Sequence, residues 1–226
     1  MVSASLVQEI CRMRPAADHT VEQYLMTAAS LSINSDQILL TTDEHKTILL
    51  LGDDDHLSLL LAAESKSHIT VLESDQRIID SLLSWKDRLR LSRLNVVKHD
   101  LKCELPSMYL NCFDCFVANP PYGSKNGGYG ILVWATRGLQ ALKRKGIGLM
   151  IIPIDFLRQW SMSNLLTLQK YLSKNGAVMF DISRGVHQYQ DLPSKDIDMR
   201  SSFLRVQLLE EPKHLLMVDP FRNLYR

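Results

Sequence analysis

The segment Phe113–Ser124, FDCFVANPPYGS, constrains the fold more than any other part of the chain. Phe113, Cys115, Phe116, Val117 and Ala118 make an apolar run of strand length that stops at Asn119-Pro120-Pro121-Tyr122. Proline donates no backbone N–H and fixes its own φ, so the strand ends there and the turn is stiff. The apolar run predicts a buried strand of a parallel sheet. Ligands of open parallel sheets bind beyond the carboxyl ends of the strands, which places Asn119 at the rim of a crevice. There the Asn119 side-chain carbonyl and the Pro120 carbonyl can both accept hydrogen bonds from one amino group. Tyr122 offers a face for a planar or cationic group.

Other short apolar runs recur along the chain at helix-length spacing. Thr47–Leu51 reads as a central strand, and it ends in Gly52-Asp53-Asp54-Asp55 before the helical pattern Leu57–Ser65. Strand, glycine turn and helix open a nucleotide-binding βαβ unit. Aspartates stand where that unit's further glycines belong, so a pyrophosphate is repelled and a cationic ligand is favoured. Asp55 on its own reads equally as a helix N-cap. The second strand, Ile69–Leu72, ends at Glu73, the place of the acidic residue that binds a ribose hydroxyl pair. Asp75 is expected to cap the next helix, Gln76 to Leu91. A third strand around Val96-Val97 ends at His99-Asp100, where Asp100 is placed to accept from an adenine amino group.

After the Asn-Pro-Pro-Tyr turn, the glycine-rich stretch 123–130 carries Lys125, a candidate acceptor contact. Helices are expected at Ile131–Lys145 and Ser161–Lys174, and strands at Gly148–Ile152, Ala177–Phe180 and Phe203–Leu209. Val186–Pro193 reads as a loop whose His187, Tyr189 and Asp191 lie near the sheet's mouth. Ahead of the sheet come short helices at Ser5–Met13 and His19–Ile33, the second opened by a Thr20/Gln23 capping box. Arg14 and Gln23 are within reach of the ligand from this lead-in, although a solvated position is the plainer expectation for both. The resulting architecture is α/β, a Rossmann-like, mostly parallel doubly wound sheet of about seven strands with an antiparallel edge. Residues 1–45 are expected to form a helical lead-in, 46–210 the Rossmann-like domain, and 211–226 a peripheral tail.

Composition narrows the function classes. A net charge of +1 supplies no basic field for nucleic acid, and no run approaches the ~18 apolar residues of a membrane span. The amino terminus lacks a secretion-signal pattern, so a cytoplasmic protein is expected. Cys112 and Cys115 form a C-x-x-C at the entrance of a buried strand without partners at zinc spacing; core thiols are expected, and no metal.

The order GDDD, VLESD, HD and ANPPYG resembles class I transferases that use S-adenosyl nucleotides. NPPY is similar to the motif of methyltransferases acting on planar amino groups: adenine N6, cytosine N4 and glutamine amides. RPAADHTVEQYLMT together with ILLLGDDDHLSLLLA resembles the branched-chain polyamine synthases, the bis(aminopropyl)spermidine synthases, over roughly residues 12–210. That resemblance implies an acidic site at Asp53, Asp54 and Asp55 for an amine substrate and decarboxylated S-adenosylmethionine. Archaeal members carry Asp-Pro-Pro where this chain has Asn119-Pro120-Pro121.

Charge weighs the two cofactors. Unit charges 4 Å apart interact by about 4 kcal/mol at an effective dielectric near 20, so three aspartates oppose a carboxylate and attract an ammonium. The expected reaction is therefore aminopropyl transfer to a polyamine, with Asp53 or Asp54 taking the proton and Asn119 and Pro120 aligning the nitrogen. Methyl transfer from S-adenosylmethionine to a planar amino group, including one in nucleic acid, is the alternative, with Tyr122 stacking. A non-catalytic nucleotide-binding or interaction module is a third reading. Gly52, Asp53, Glu73, Asp100 and Asn119 form the expected cofactor site; Asp54, Asp55, Tyr122 and Lys125 form the expected acceptor site. No membrane partner is expected, and a homo-oligomer is compatible with the chain.

Overall fold

The computed structural model describes residues 3–42, 46–122, 126–190, 192 and 198–225. Its centre is a seven-stranded sheet in the order β3-β2-β1-β4-β5-β7-β6. The strands are β1 (Thr47–Leu51), β2 (His68–Glu73), β3 (Leu94–Lys98), β4 (Phe113–Ala118), β5 (Leu142–Pro153), β6 (Ala177–His187) and β7 (Ser201–Leu208). Strands β1 to β5 pair in parallel; β7 runs antiparallel between β5 and β6. The helices are α1 (Ala4–Met13), α2 (Ala28–Thr41), α3 (Leu57–Glu64), α4 (Gln76–Leu89), α5 (Tyr129–Ala141) and α6 (Gln159–Lys174).

Strand β1 follows from its sequence. Ile48, Leu49, Leu50 and Leu51 are all buried, as a strand covered on both faces must be. Ile48 and Leu50 join the core under α1–α4, while Leu49 and Leu51 face the core under α5 and α6. Phe116 of β4 lies against glycines on two neighbouring elements. A Cβ on Gly138 or on Gly148 would stand 2.5 Å from its ring.

Four expectations shift. Residues 142–145, expected to end a helix, open β5, because α5 stops at Ala141. Residues 19–33 do not form one helix: His19–Val21 is a 3₁₀ turn, and α2 starts at Ala28 with Thr27 as its cap. Asp18 accepts from the Thr20 amide and hydroxyl, and Glu22 takes a left-handed φ of 55°, so the chain leaves the turn extended. The expected loop at 186–193 begins as strand, because β6 continues to His187. The tail is not peripheral. The His214 amide donates to Asn175, Leu216 to the Tyr171 hydroxyl and Asp219 to the Tyr129 hydroxyl, and Leu224 is buried.

Candidate active site

A cleft of about 330 Å³ opens at the carboxyl ends of β1, β2, β3 and β4. Asp53 and Asp54 enter it after β1, Glu73 and Asp75 after β2, Asp100 after β3 and Asn119 after β4. Asp18 and Glu22 of the lead-in turn and Tyr225 of the tail also line it.

The first turn divides its three aspartates among three tasks. Gly52 adopts φ 79° and its N–H donates to the Leu72 carbonyl, which folds the turn back toward β2. His56 is also left-handed, with φ 60°, and this brings Asp53 back onto the start of α3. The Asp53 carboxylate accepts from the backbone N–H groups of Leu57 and Ser58, at 2.7 and 3.2 Å. Asp53 is therefore the carboxylate that holds the helix start, a place the sequence suggested for Asp55. Asp55 is buried, and its Oδ1 accepts from the Arg14 guanidinium at 2.8 Å and from the Met26 N–H at 2.7 Å. It thus ties the lead-in to the turn instead of facing an amine substrate. Asp54 lines the cleft beside Asp53; it is largely buried but less so than its two neighbours, and no hydrogen bond occupies its carboxylate among the described residues. Burial, reinforced by the Asp55, Glu73 and Asp53 carboxylates, pushes Asp54 well above the usual carboxylate range.

Glu73 stands where expected and links two turns. Its Oε2 accepts from the Asp53 N–H at 3.0 Å, and its Oε1 accepts from the Ser74 and Asp75 N–H groups at 2.7 and 2.9 Å. Burial raises its pKa against the opposing effect of these three donors. Asp75 caps α4 through the Arg77 N–H, as predicted, and also pairs with the Arg77 side chain at 2.5 Å. Asp100 is exposed at the end of the cleft, where its Oδ1 holds the Lys102 N–H.

The stiff turn after β4 places Asn119 and Pro121 in the wall. Pro120 is buried behind it. Tyr122 is also corrected: its ring packs edge-on against Tyr189 with centroids 5.9 Å apart, and its hydroxyl accepts from Ser201. With 9% of its surface exposed, it leaves no open face for stacking. His187 ends β6 at the carboxyl edge of the sheet, opposite Ser201, and is buried there against Phe203. Lys125 and Asp191 lie outside the described residues.

Sequence reading missed the buried position of Arg14 and the contributions of Asp18, Glu22, Trp134 and Tyr225. The Trp134 indole N–H donates to the Leu51 carbonyl at 2.9 Å and so fixes the end of β1 beneath the cleft. The excess of aspartate in the first turn was the one signal that a buried cation had to be nearby.

Among the described residues, seven carboxylates line the cleft from these elements, against a single arginine, Arg77, which Asp75 already pairs. Such a wall suits a cationic ligand. No group of three or more metal-ligating side chains with metal-site geometry occurs among the described residues.

Residues 4–212 match the model of the branched-chain polyamine synthase A C-terminal domain. The chain belongs to this family. Among its curated relatives are the N(4)-bis(aminopropyl)spermidine synthases of Thermus thermophilus, 30% identical over 66% of this chain, and of Methanocaldococcus jannaschii, 28% identical over 60%. The aligned parts span 41% and 38% of those two proteins. The family's fold is seen in the Thermus thermophilus branched-chain polyamine synthase crystallised with N4-aminopropylspermidine and 5′-methylthioadenosine. It superposes with a TM-score of 0.84 at 23% identity, covering 99% of this chain and 68% of that one. A Pyrococcus horikoshii structure described as a putative RNA methyltransferase superposes with a TM-score of 0.66 at 15% identity, over 91% of this chain and 98% of its own. The seven-stranded class I transferase fold expected from the sequence is therefore present.

Proposed function

We propose that the protein transfers an aminopropyl group from decarboxylated S-adenosylmethionine to an amine of a polyamine. The carrying observation is the charge of the cleft: among the described residues, seven carboxylate residues and one arginine already held by Asp75. Family membership supports the same reading. The decarboxylated nucleotide presents an ammonium and a sulfonium, both attracted by this wall. S-adenosylmethionine adds a carboxylate, which the same wall opposes.

In this reading Glu73 holds the ribose hydroxyls with the lone pairs left by its backbone donors, and Asp100 accepts from the adenine amino group. Gly52 lets the backbone approach the nucleotide. Asn119 orients the acceptor nitrogen at the mouth, with Pro120 and Pro121 fixing the chain that carries it. Asp54 is the proton acceptor, since Asp53 is engaged with α3 and Asp55 with Arg14. Its raised proton affinity suits a group that takes a proton from an ammonium-derived amine near neutrality. The nitrogen lone pair attacks the aminopropyl methylene next to sulfur, and the C–S bond breaks with its electrons going to sulfur. The products are the extended amine and neutral 5′-methylthioadenosine, and the amine proton leaves through Asp54. Most of the protein's contribution is alignment in a shared cleft.

Calorimetric titration with the two nucleotides tests the assignment. A preference of about tenfold or more for the decarboxylated form is expected, equivalent to about 1.4 kcal/mol. Preference for S-adenosylmethionine would make the protein a methyltransferase and move the acceptor search to planar amino groups. Binding of neither would leave a non-catalytic module.

A further inference from the structure

The segment matched to the family ends at residue 212, yet the chain beyond it returns to the cleft. The return is anchored at several points. The Asp219 N–H donates to the Tyr129 hydroxyl at 2.8 Å, and the Arg222 guanidinium lies 3.9 Å from the centre of the Tyr129 ring. The Leu224 carbonyl accepts from the Asn126 side chain at 2.6 Å, and a Cβ on Gly130 would come within 3.1 Å of that oxygen. Leu224 is 1% exposed, so the residue before Tyr225 is locked in the core over α5. Tyr225 then lies in the cleft wall, with Asp100, Glu73 and Glu22 as its charged neighbours.

The charged neighbours of Tyr225 include both the carboxylate assigned to the purine amino group and the one assigned to the ribose. A purine nucleoside also has ring nitrogens and ribose oxygens that need donors, and a wall of carboxylates only accepts. Arg77 is held by Asp75, and the Gln23 side-chain amide donates to Asp75 as well. The Trp134 N–H is taken by the Leu51 carbonyl. Ser74 and His99 also line the cleft as candidate donors; a phenol adds to them a further neutral O–H together with a broad apolar face. Burial, with the three carboxylates, raises its pKa to about 12, so the proton stays on the oxygen throughout the neutral range.

We propose that Tyr225 is a nucleoside-binding residue, its ring covering the purine face and its hydroxyl donating to the bound nucleoside. The inference rests on reading the cleft as the nucleotide site. It adds a wall from outside the family-matched segment, held in register by Asn126 and Tyr129.

The test is titration of 5′-methylthioadenosine into the full chain and into Tyr225→Ala, Tyr225→Phe and Asn126→Ala, with melting curves for each. Loss of base stacking in Tyr225→Ala should weaken binding about tenfold or more, and Tyr225→Phe, which loses only the O–H, should weaken it by a smaller factor of about threefold. Full binding by Tyr225→Phe would overturn the hydroxyl's part. Asn126→Ala, which frees Leu224 without touching the cleft, should also weaken binding. In turnover assays Tyr225→Ala should raise KM for the nucleotide and leave KM for the polyamine unchanged. Undiminished nucleoside binding by Tyr225→Ala would overturn the proposal while leaving the nucleotide site intact. Tighter binding would overturn it too, by showing that the tail occludes the site. Absence of nucleoside binding by the unaltered protein would refute the reading of the cleft, and the proposal with it.

Discussion

At the scale of residues, three consecutive aspartates with the same charge do different work because their surroundings differ. Asp54→Asn is expected to lower turnover by about 100-fold or more at unchanged melting temperature, the size usual for loss of a general base. Asp53→Asn keeps a capping oxygen and should cost stability rather than chemistry, about 1 kcal/mol or less. A steady-state assay beside a urea titration separates the two; equal loss of turnover in both variants would contradict the division. Gly138→Ala drives a methyl into the fully buried Phe116 ring. Overpacking of that kind costs about 1–3 kcal/mol, and the midpoint of urea unfolding should fall accordingly.

At the scale of elements, the Arg14–Asp55 pair joins the end of α1 to the turn after β1, and Asp55 also holds the Met26 N–H just before α2. Removing Arg14 leaves a buried carboxylate without its cation. Arg14→Met should therefore lose about 3–5 kcal/mol, with much of it restored in the double variant Arg14→Met/Asp55→Asn. Strictly additive losses in urea unfolding would show that the two side chains do not act as a pair. Strand β4 and its Pro-Pro stop were legible because apolar run and breaker are local signals, and its limits Phe113–Ala118 agree with the sequence reading. So were the glycine turn, Glu73 and the Asp75 cap. The roles of Asp53, Asp55 and Tyr122 were not. They depend on a left-handed turn at His56, a buried arginine 41 positions away and the Tyr189 ring from the segment after β6, none of which leaves a mark in adjacent residues. Helix α2 was misplaced because Thr20 and Gln23 spell a capping box whose partners the Asp18 side chain and N–H take instead.

At the scale of the whole molecule, acid sensitivity should come from histidines outside the cleft. Burial lowers His187 to about 3 and His56 to about 4, so both are neutral in the folded protein. Unfolded, each regains an ordinary value near 6.5, and between these limits the unfolded chain binds more protons. The stability they support is complete above pH 6.5 and is lost as the pH falls toward those folded values. Each contributes a slope of up to about 1.4 kcal/mol per pH unit. Neither ring nitrogen of His187 has a hydrogen-bond partner, so His187→Leu removes no bond there. Urea unfolding across this range should show a shallower acid limb in that variant; an unchanged limb would place the acid sensitivity elsewhere.

The antiparallel insertion of β7 between β5 and β6 has a consequence for how the protein is made. Residues 177–187 emerge during synthesis before the strand that joins them to the sheet exists, and until Ser201–Leu208 arrives they have no sheet partner. Val178 and Phe180 stay about half exposed on this edge even in the finished fold. A nascent chain paused before residue 201 therefore carries two open strand borders, β5 and β6, each able to capture a neighbouring chain. Speed of translation through this stretch, rather than the stability of the final structure, should then govern how much of the protein is recovered undamaged from the cell.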